Sequence, residues 1–216
     1  YGNLKYIDNP KRYNKLEKVV ADSLKNRIIW LAASTHKNEE KFCLTTHKII
    51  KNKYPNILTI IAPRHINRTG EIMNEIKKSN LIGQVINNNE SIKENTDIAL
   101  INSFGSLNKY YEHCKNIFMG KSLNKKLALV GGQNPIEAAR FGCKIYHGPY
   151  VYNFLEVYNF LKTNKISEEI NSEKELSSKI VFDIESNLKI NDSKLKEIEI
   201  FGKNIFDSTI QKLNEL

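Results

Sequence analysis

The sequence predicts an α/β fold: a doubly wound, Rossmann-like parallel sheet followed by C-terminal helices. Apolar, β-rich runs alternate with amphipathic stretches along most of the 216 residues, and strands separated by helices form a parallel sheet covered on both faces. The conspicuous polar motifs each follow a predicted strand, at the end of such a sheet where ligands bind. No internal repeat interrupts the pattern, and the length suffices for one large domain with a real core.

The elements follow in order. Arg27–Ala33 (RIIWLAA) reads as a buried strand, then a helix runs from about Asn38 to Lys53. Asn56–Ala62 (NILTIIA) is the next strand, stopped by Pro63. A helix over Arg68–Ser79 leads to strands at Leu81–Ile86 and Asp97–Ile101, with Asn87–Asn89 as an exposed loop. Lys115–Met119 is a short strand, followed by the loop Gly120–Gly132 and a helix over Pro135–Phe141. Lys144–His147 is a strand and Asn153–Lys162 a helix. From about Glu173 to Leu216 the pattern is two polar amphipathic helices joined near Asn191-Asp192. Residues 1–163 form the binding domain, and 164–216 a final strand and helical tail packing on it.

The charge balance, 33 basic against 24 acidic residues for a net +9, favours anionic partners: nucleotides, nucleic acid or a phosphate-bearing membrane face. Scattered lysines also make an ordinary solvated surface. Cys43, Cys114 and Cys143 are odd in number and widely spaced, without a C-x-x-C pair, so neither a disulfide framework nor a zinc site is expected. No apolar run approaches the roughly 18 residues needed to span a bilayer. The chain opens at Tyr1 without a methionine, so a fragment of a longer protein is expected.

Gly131-Gly132-Gln133-Asn134-Pro135-Ile136-Glu137 is the most informative stretch. Its glycines permit close backbone approach and positive φ. Asn134 suits an N-cap and Pro135 the first helical position, and free N–H groups at such a start attract anions. Glu137, in the first turn, can accept both hydroxyls of a ribose, as the acidic residue of dinucleotide sites does. The same residues also make a capping box in which the glutamate bonds only its own N-cap, and the local pattern supports either.

Ser34-Thr35-His36 follows the first strand, where hydroxyls cap a helix or bind phosphate and a histidine can donate to a leaving group. Pro63-Arg64-His65 follows the second, and the arginine fork suits a phosphate or carboxylate. Each motif alone also fits a plain turn, but the fold brings all three to one edge. His147-Gly148-Pro149, with Asn153 and Phe154, closes a further strand on the same rim. There is no P-loop and no G-x-G-x-x-G after the first strand, so ATPase and NAD chemistry lack support. No Asp-x-Asp metal clamp is present, and His36, His65 and His147 lack carboxylates to orient them on a metal. A basic stripe interleaved with aromatics, as nucleic-acid binding needs, is missing too.

Read in order, these segments resemble the C-terminal half of the Kdo (3-deoxy-D-manno-octulosonic acid) transferases of lipopolysaccharide synthesis. The signals are Gly2-Asn3-Leu4-Lys5-Tyr6; Ala33-Ser34-Thr35-His36 with Glu39-Glu40; Tyr54-Pro55; Pro63-Arg64-His65; Gly131 through Glu137; and Gly148-Pro149 with Asn153-Phe154. They span roughly the first three quarters of the chain. The resemblance implies a two-domain GT-B glycosyltransferase in which the N-terminal half binds the lipid A precursor and the C-terminal half binds CMP-Kdo. It implies donor contacts from Ser34, Thr35, His36, Arg64, His65, Gly131, Gly132, Asn134, Glu137 and Asn153. Arg64 and the amides from Gly132 to Glu137 would hold the CMP phosphate, Ser34 and His36 the phosphate or the sugar carboxylate, and Glu137 the ribose.

It also implies an inverting transfer without metal or cofactor, and no nucleic-acid partner. The general-base glutamate and the membrane-associating segment would lie in the other half, so that this half alone is soluble and inactive while the whole works at the cytoplasmic face of the bacterial inner membrane. Three positions depart from the family pattern. Asn102-Ser103-Phe104-Gly105-Ser106-Leu107 replaces an Asp-Thr-x-Gly-Glu-Leu-like segment, Gly120-Lys121-Ser122-Leu123 replaces Gly-Gly-Ser-Leu, and Gln133 replaces a histidine. The alternatives are a UDP-sugar GT-B transferase or epimerase half, and a non-catalytic nucleotide-binding module.

Overall fold

The computed structural model describes residues 15–214, apart from positions 88, 89, 104 and 189. The Gly2–Tyr6 motif lies outside the described residues. Seven parallel strands form one sheet in the order β3-β4-β2-β1-β5-β6-β7. They are β1 (Ile28–Thr35), β2 (Ile57–Pro63), β3 (Gly83–Ile86), β4 (Ile98–Ile101), β5 (Asn116–Met119), β6 (Lys144–His147) and β7 (Ser167–Glu169). The inner strands β1, β2 and β4 are largely apolar runs because a parallel sheet is buried on both faces there, whereas the edge strand β7 reads Ser-Glu-Glu. β2 is buried from end to end.

Alternate residues of each strand face opposite layers. Leu31, Ala33, Leu58, Ile60, Ile117 and Met119 point into one core, while Trp30, Ala32, Ile57, Ile61, Leu100 and Phe118 point into the other. The first core is covered by α1 (Lys18–Leu24), α4 (Asn108–Tyr111), α5 (Ile136–Arg140), α6 (Leu155–Thr163) and α8 (Asp192–Asn214). The second is covered by α2 (Glu39–Lys51), α3 (Thr69–Lys78) and α7 (Glu173–Glu185). The order reverses at β1, which pairs with β2 on one side and β5 on the other. This is the switch point at which doubly wound sheets open a ligand crevice.

The departures from the sequence reading are local. β1 runs two residues further, through Ser34 and Thr35, because its end is held between Pro63 and the loop after β5. The helix expected from Asn153 begins as a 3-10 turn at Tyr152–Phe154, and α6 follows. β7 extends the sheet by pairing with β6, and Asp183 of α7 accepts from Tyr146 and Asn116 in the sheet. The segment after residue 163 is thus tied to the same sheet. The three cysteines are buried and free.

A buried polar cluster sits at the opposite edge from the crevice. His47 is fully buried on α2, its Nδ1 2.7 Å from the Thr59 hydroxyl. Asp97 receives Lys51 at 2.5 Å and the Ile82 N–H at 3.0 Å. Burial lowers the His47 pKa to about 4, with nearby Asp97 opposing the drop and Lys51 and Arg27 adding to it. The folded imidazole therefore stays neutral below pH 6.5, where an unfolded histidine takes up a proton. Stability is whole above that pH and falls as the pH drops from about 6.5 towards 4. Burial lowers His36 and His147 as well, so they contribute in the same direction. We expect urea-unfolding midpoints to fall across this window, and His47→Gln to reduce the slope without abolishing it. An unchanged slope in that variant would show that His47 has no part in the acid sensitivity.

Candidate active site

The loops at the carboxyl ends of the strands converge on a pocket of about 320 Å³ beside β1, at the small end of the range for ligand sites. Ser34 lines it from the end of β1, and Arg64 from the turn after β2. Gly105, Leu107, Asn108 and Tyr111 come from the segment after β4, and Gln133, Asn134, Ile136 and Glu137 from the start of α5. Four predicted residues, Ser34, Arg64, Asn134 and Glu137, therefore share one cavity. A second cavity, of about 410 Å³, opens between the start of α2 and the start of α7 and contains none of them.

Ser34 adopts φ 53°, a left-handed conformation uncommon for a non-glycine residue, at an irregularity in the β1–β2 register. Its neighbourhood enforces this. The Gly120 N–H donates to the Ala33 carbonyl at 2.8 Å, and a Cβ on Gly120 would lie 2.5 Å from the Ser34 carbonyl oxygen. Only glycine lets the β5 loop approach so closely. Lys121 also has positive φ, at 59°, so it stands where the Gly-Gly-Ser-Leu pattern has a glycine and carries about 1–2 kcal/mol of left-handed strain.

The loop is held by one buried carboxylate. Glu39, 2% exposed, accepts from the His36 and Lys121 N–H groups through Oε2 at 2.8 and 2.7 Å. Its Oε1 accepts from the N–H groups of Ser122 and Leu123 at 2.8 and 3.1 Å. Four donors fill the roughly four lone-pair sites of a carboxylate. The Ser122 hydroxyl then donates to the Met119 carbonyl and accepts from the Gly148 N–H. The Gly132 N–H donates to the Lys121 carbonyl at 2.7 Å.

The other predicted residues take different places. Thr35 is fully buried and its hydroxyl donates to Glu40, which also holds Arg68 in a two-toothed ion pair. Neither Ser34 nor Thr35 caps α2: its N-cap is Asn38, which makes no side-chain cap bond. Gly131 and Gly132 are buried against Tyr150 and Val151 of their own chain, and neither lines the pocket. Asn153 clamps the same loop, donating to the carbonyls of Val130 (side chain) and Gly131 (backbone). His36 and His65 meet edge to face, 5.6 Å apart, outside the pocket lining. Burial lowers the His36 pKa, with the Ser34 carbonyl and Glu39 opposing, so its ring is neutral at pH 7.

The expected amide cradle is reduced. Pro135, expected as the first helical residue, is itself the N-cap and makes no cap bond. The Asn134 side chain, one position earlier, still accepts from the Ile136 N–H at 3.1 Å, but α5 is only five residues long, too short for a substantial macrodipole. The Gly132 and Ile136 amides are already paired, so Arg64 is the main cationic group lining the pocket. It is also exposed, so salt should screen it more fully than a part-buried contact. The reading of single motifs missed Tyr111, whose phenol is pushed well above 10 by burial and by Glu137. The phenol stays protonated, and Tyr111 lines the pocket wall. The polar segment Asn102–Leu107, following β4, was the signal that this wall belonged to the site.

No family model matches the chain. It is 34% identical to the 3-deoxy-D-manno-octulosonic acid transferase of Haemophilus influenzae over 157 residues, 72% of this chain and 36% of that protein. Against the enzyme of the same description from Rickettsia prowazekii, identity is 26% over 99% of this chain and 47% of the relative. The chain thus spans less than half the length of these relatives. In structure it matches the C-terminal CMP-Kdo binding domain of WaaA from Acinetobacter baumannii, with TM-score 0.70 and 22% identity, covering 85% of this chain and 91% of that one. That likeness establishes the fold, one half of the GT-B glycosyltransferase architecture.

Gly120→Ala should destabilise the chain by about 1–3 kcal/mol, the usual cost of forcing a methyl into packed structure, because the clashing atoms are backbone. A urea-unfolding midpoint equal to that of the parent would show that the β5 loop is not held against Ser34.

Proposed function

The chain belongs to the Kdo transferase family, and on that footing we propose that it is the donor-binding half of an enzyme that moves Kdo from CMP-Kdo onto a lipid A precursor. The observation that carries this reading is the meeting of Ser34, Arg64, Asn134 and Glu137 in one pocket at the switch point of the sheet. Arg64 faces the phosphate, Glu137 accepts the ribose hydroxyls, and Ser34 and Tyr111 offer hydroxyl donors to the sugar or phosphate oxygens.

In the transfer the bond between the Kdo anomeric carbon and the phosphate oxygen breaks, and its electron pair leaves with CMP. Stabilising that departing anion is the main work of this half, and a fixed cation is the most effective means. The acceptor hydroxyl attacks from the opposite face, inverting the centre, and gives its proton to a base in the remainder of the polypeptide. Leaving-group stabilisation by Arg64 requires no metal. The remainder also brings the lipid acceptor and the contact with the inner membrane, so the 216-residue chain binds donor but does not transfer. Gly132 and Asn153 hold the loop beside the pocket, while Thr35, His36, His65 and Gly131 lie outside its lining.

Calorimetry with CMP, UMP and UDP tests the reading. Preference for CMP supports it, preference for UDP favours a UDP-sugar enzyme, and no binding leaves only the fold. We further expect Arg64→Ala to weaken CMP far more than cytidine, with a loss that shrinks as salt is raised. Equal effects on both ligands would place the phosphate elsewhere. Glu137→Ala should cost about 1.5–3 kcal/mol of CMP affinity, the worth of hydrogen bonds to a charged group. Equal affinity of the parent for CMP and its 2′,3′-dideoxy analogue would remove Glu137 from the ribose.

A further inference from the structure

We infer that Glu39 is a positioning residue for the donor pocket. It touches no pocket-lining side chain and acts through the loop that follows β5; the inference rests on the donor-pocket reading above. The path is short and made of strong links. Glu39 accepts from the amides of Lys121, Ser122 and Leu123, and the Lys121 carbonyl receives the Gly132 N–H. Gly132 leads directly into Gln133 and Asn134, two residues of the pocket wall. The fourth donor, the His36 N–H, fixes the turn beyond Ser34, on the opposite wall. One carboxylate thus sets the separation between the β1 and α5 sides of the pocket.

Its neighbour provides a control. Glu40 is as buried and accepts three hydrogen bonds, all from the Thr35 and Arg68 side chains and none from a β5-loop amide. Glutamine at position 39 keeps the volume but offers one oxygen with two lone pairs and an NH2 group. Two of the four amides would then face a donor.

The test compares amide hydrogen exchange and CMP binding in the parent, Glu39→Gln and Glu40→Gln chains, with buried Trp30 reporting the fold. Glu39→Gln should speed exchange at Gly132 and Ser122 by at least about tenfold, leave Leu31 and Ile60 protected, and weaken CMP by about tenfold. Glu40→Gln should leave Gly132 exchange within about twofold. Unchanged Gly132 exchange in Glu39→Gln, or the same response in both variants, overturns the inference. So does a Glu39→Gln chain with the emission of an exposed indole, since Glu39 would then hold the fold rather than the loop. If the parent binds no CMP, the donor reading fails while the exchange comparison still decides the role of Glu39.

Discussion

A buried carboxylate that accepts four backbone N–H groups is the constraint on which the functional edge depends. The loop leaving β5 turns back under itself, and its amides at Lys121, Ser122 and Leu123 have no strand to pair with. Buried amides without acceptors are costly, and so is a buried carboxylate without donors. Glu39 resolves both in one contact. With it in place, the backbone passes so close to its neighbours that Gly120, Gly131 and Gly148 admit no side chain. The strained φ of Ser34 and Lys121 persists because this surrounding structure over-determines it.

The glycine-rich appearance of the site therefore has a different cause from the one the sequence invites. Gly131 and Gly132 make room for Tyr150 and Val151 of the same chain. In the proposed donor site the anion-binding task falls on Arg64, with a one-turn helix contributing little beyond the Asn134 side chain on the Ile136 N–H. Tyr111 and the segment after β4 form the remaining wall. Two of the family departures lie in or beside that wall, at Asn102–Leu107 and Gln133. A third, Lys121, costs backbone strain without entering the pocket.

Much of this was legible in the residues. Strand-and-helix alternation fixes a parallel sheet, and the motifs after β1, β2 and β5 fall at the carboxyl ends of its strands, which is why Ser34, Arg64, Asn134 and Glu137 could be expected to lie together. The short helices α1 and α4 were missed because seven and four residues are too few to show a helical period. The roles of Glu39, Thr35 and Asn153 were not readable for another reason. Their partners lie in other loops, and for Glu39 they are backbone amides, which carry no sequence signature. A carboxylate at the start of a helix looks the same whether it faces solvent or holds a loop 82 residues away.

The donor proposal stands on one nucleotide pocket at the switch point of the sheet. Titrating CMP into the isotope-labelled chain and following its backbone amides tests it most directly. The amides of Ser34, Gly105, Gln133 and Glu137 should move together with one dissociation constant, while those around Asn124, Asn171 and Glu173 stay still. Shifts confined to the second cavity, or spread over surface lysines without saturating, would contradict it.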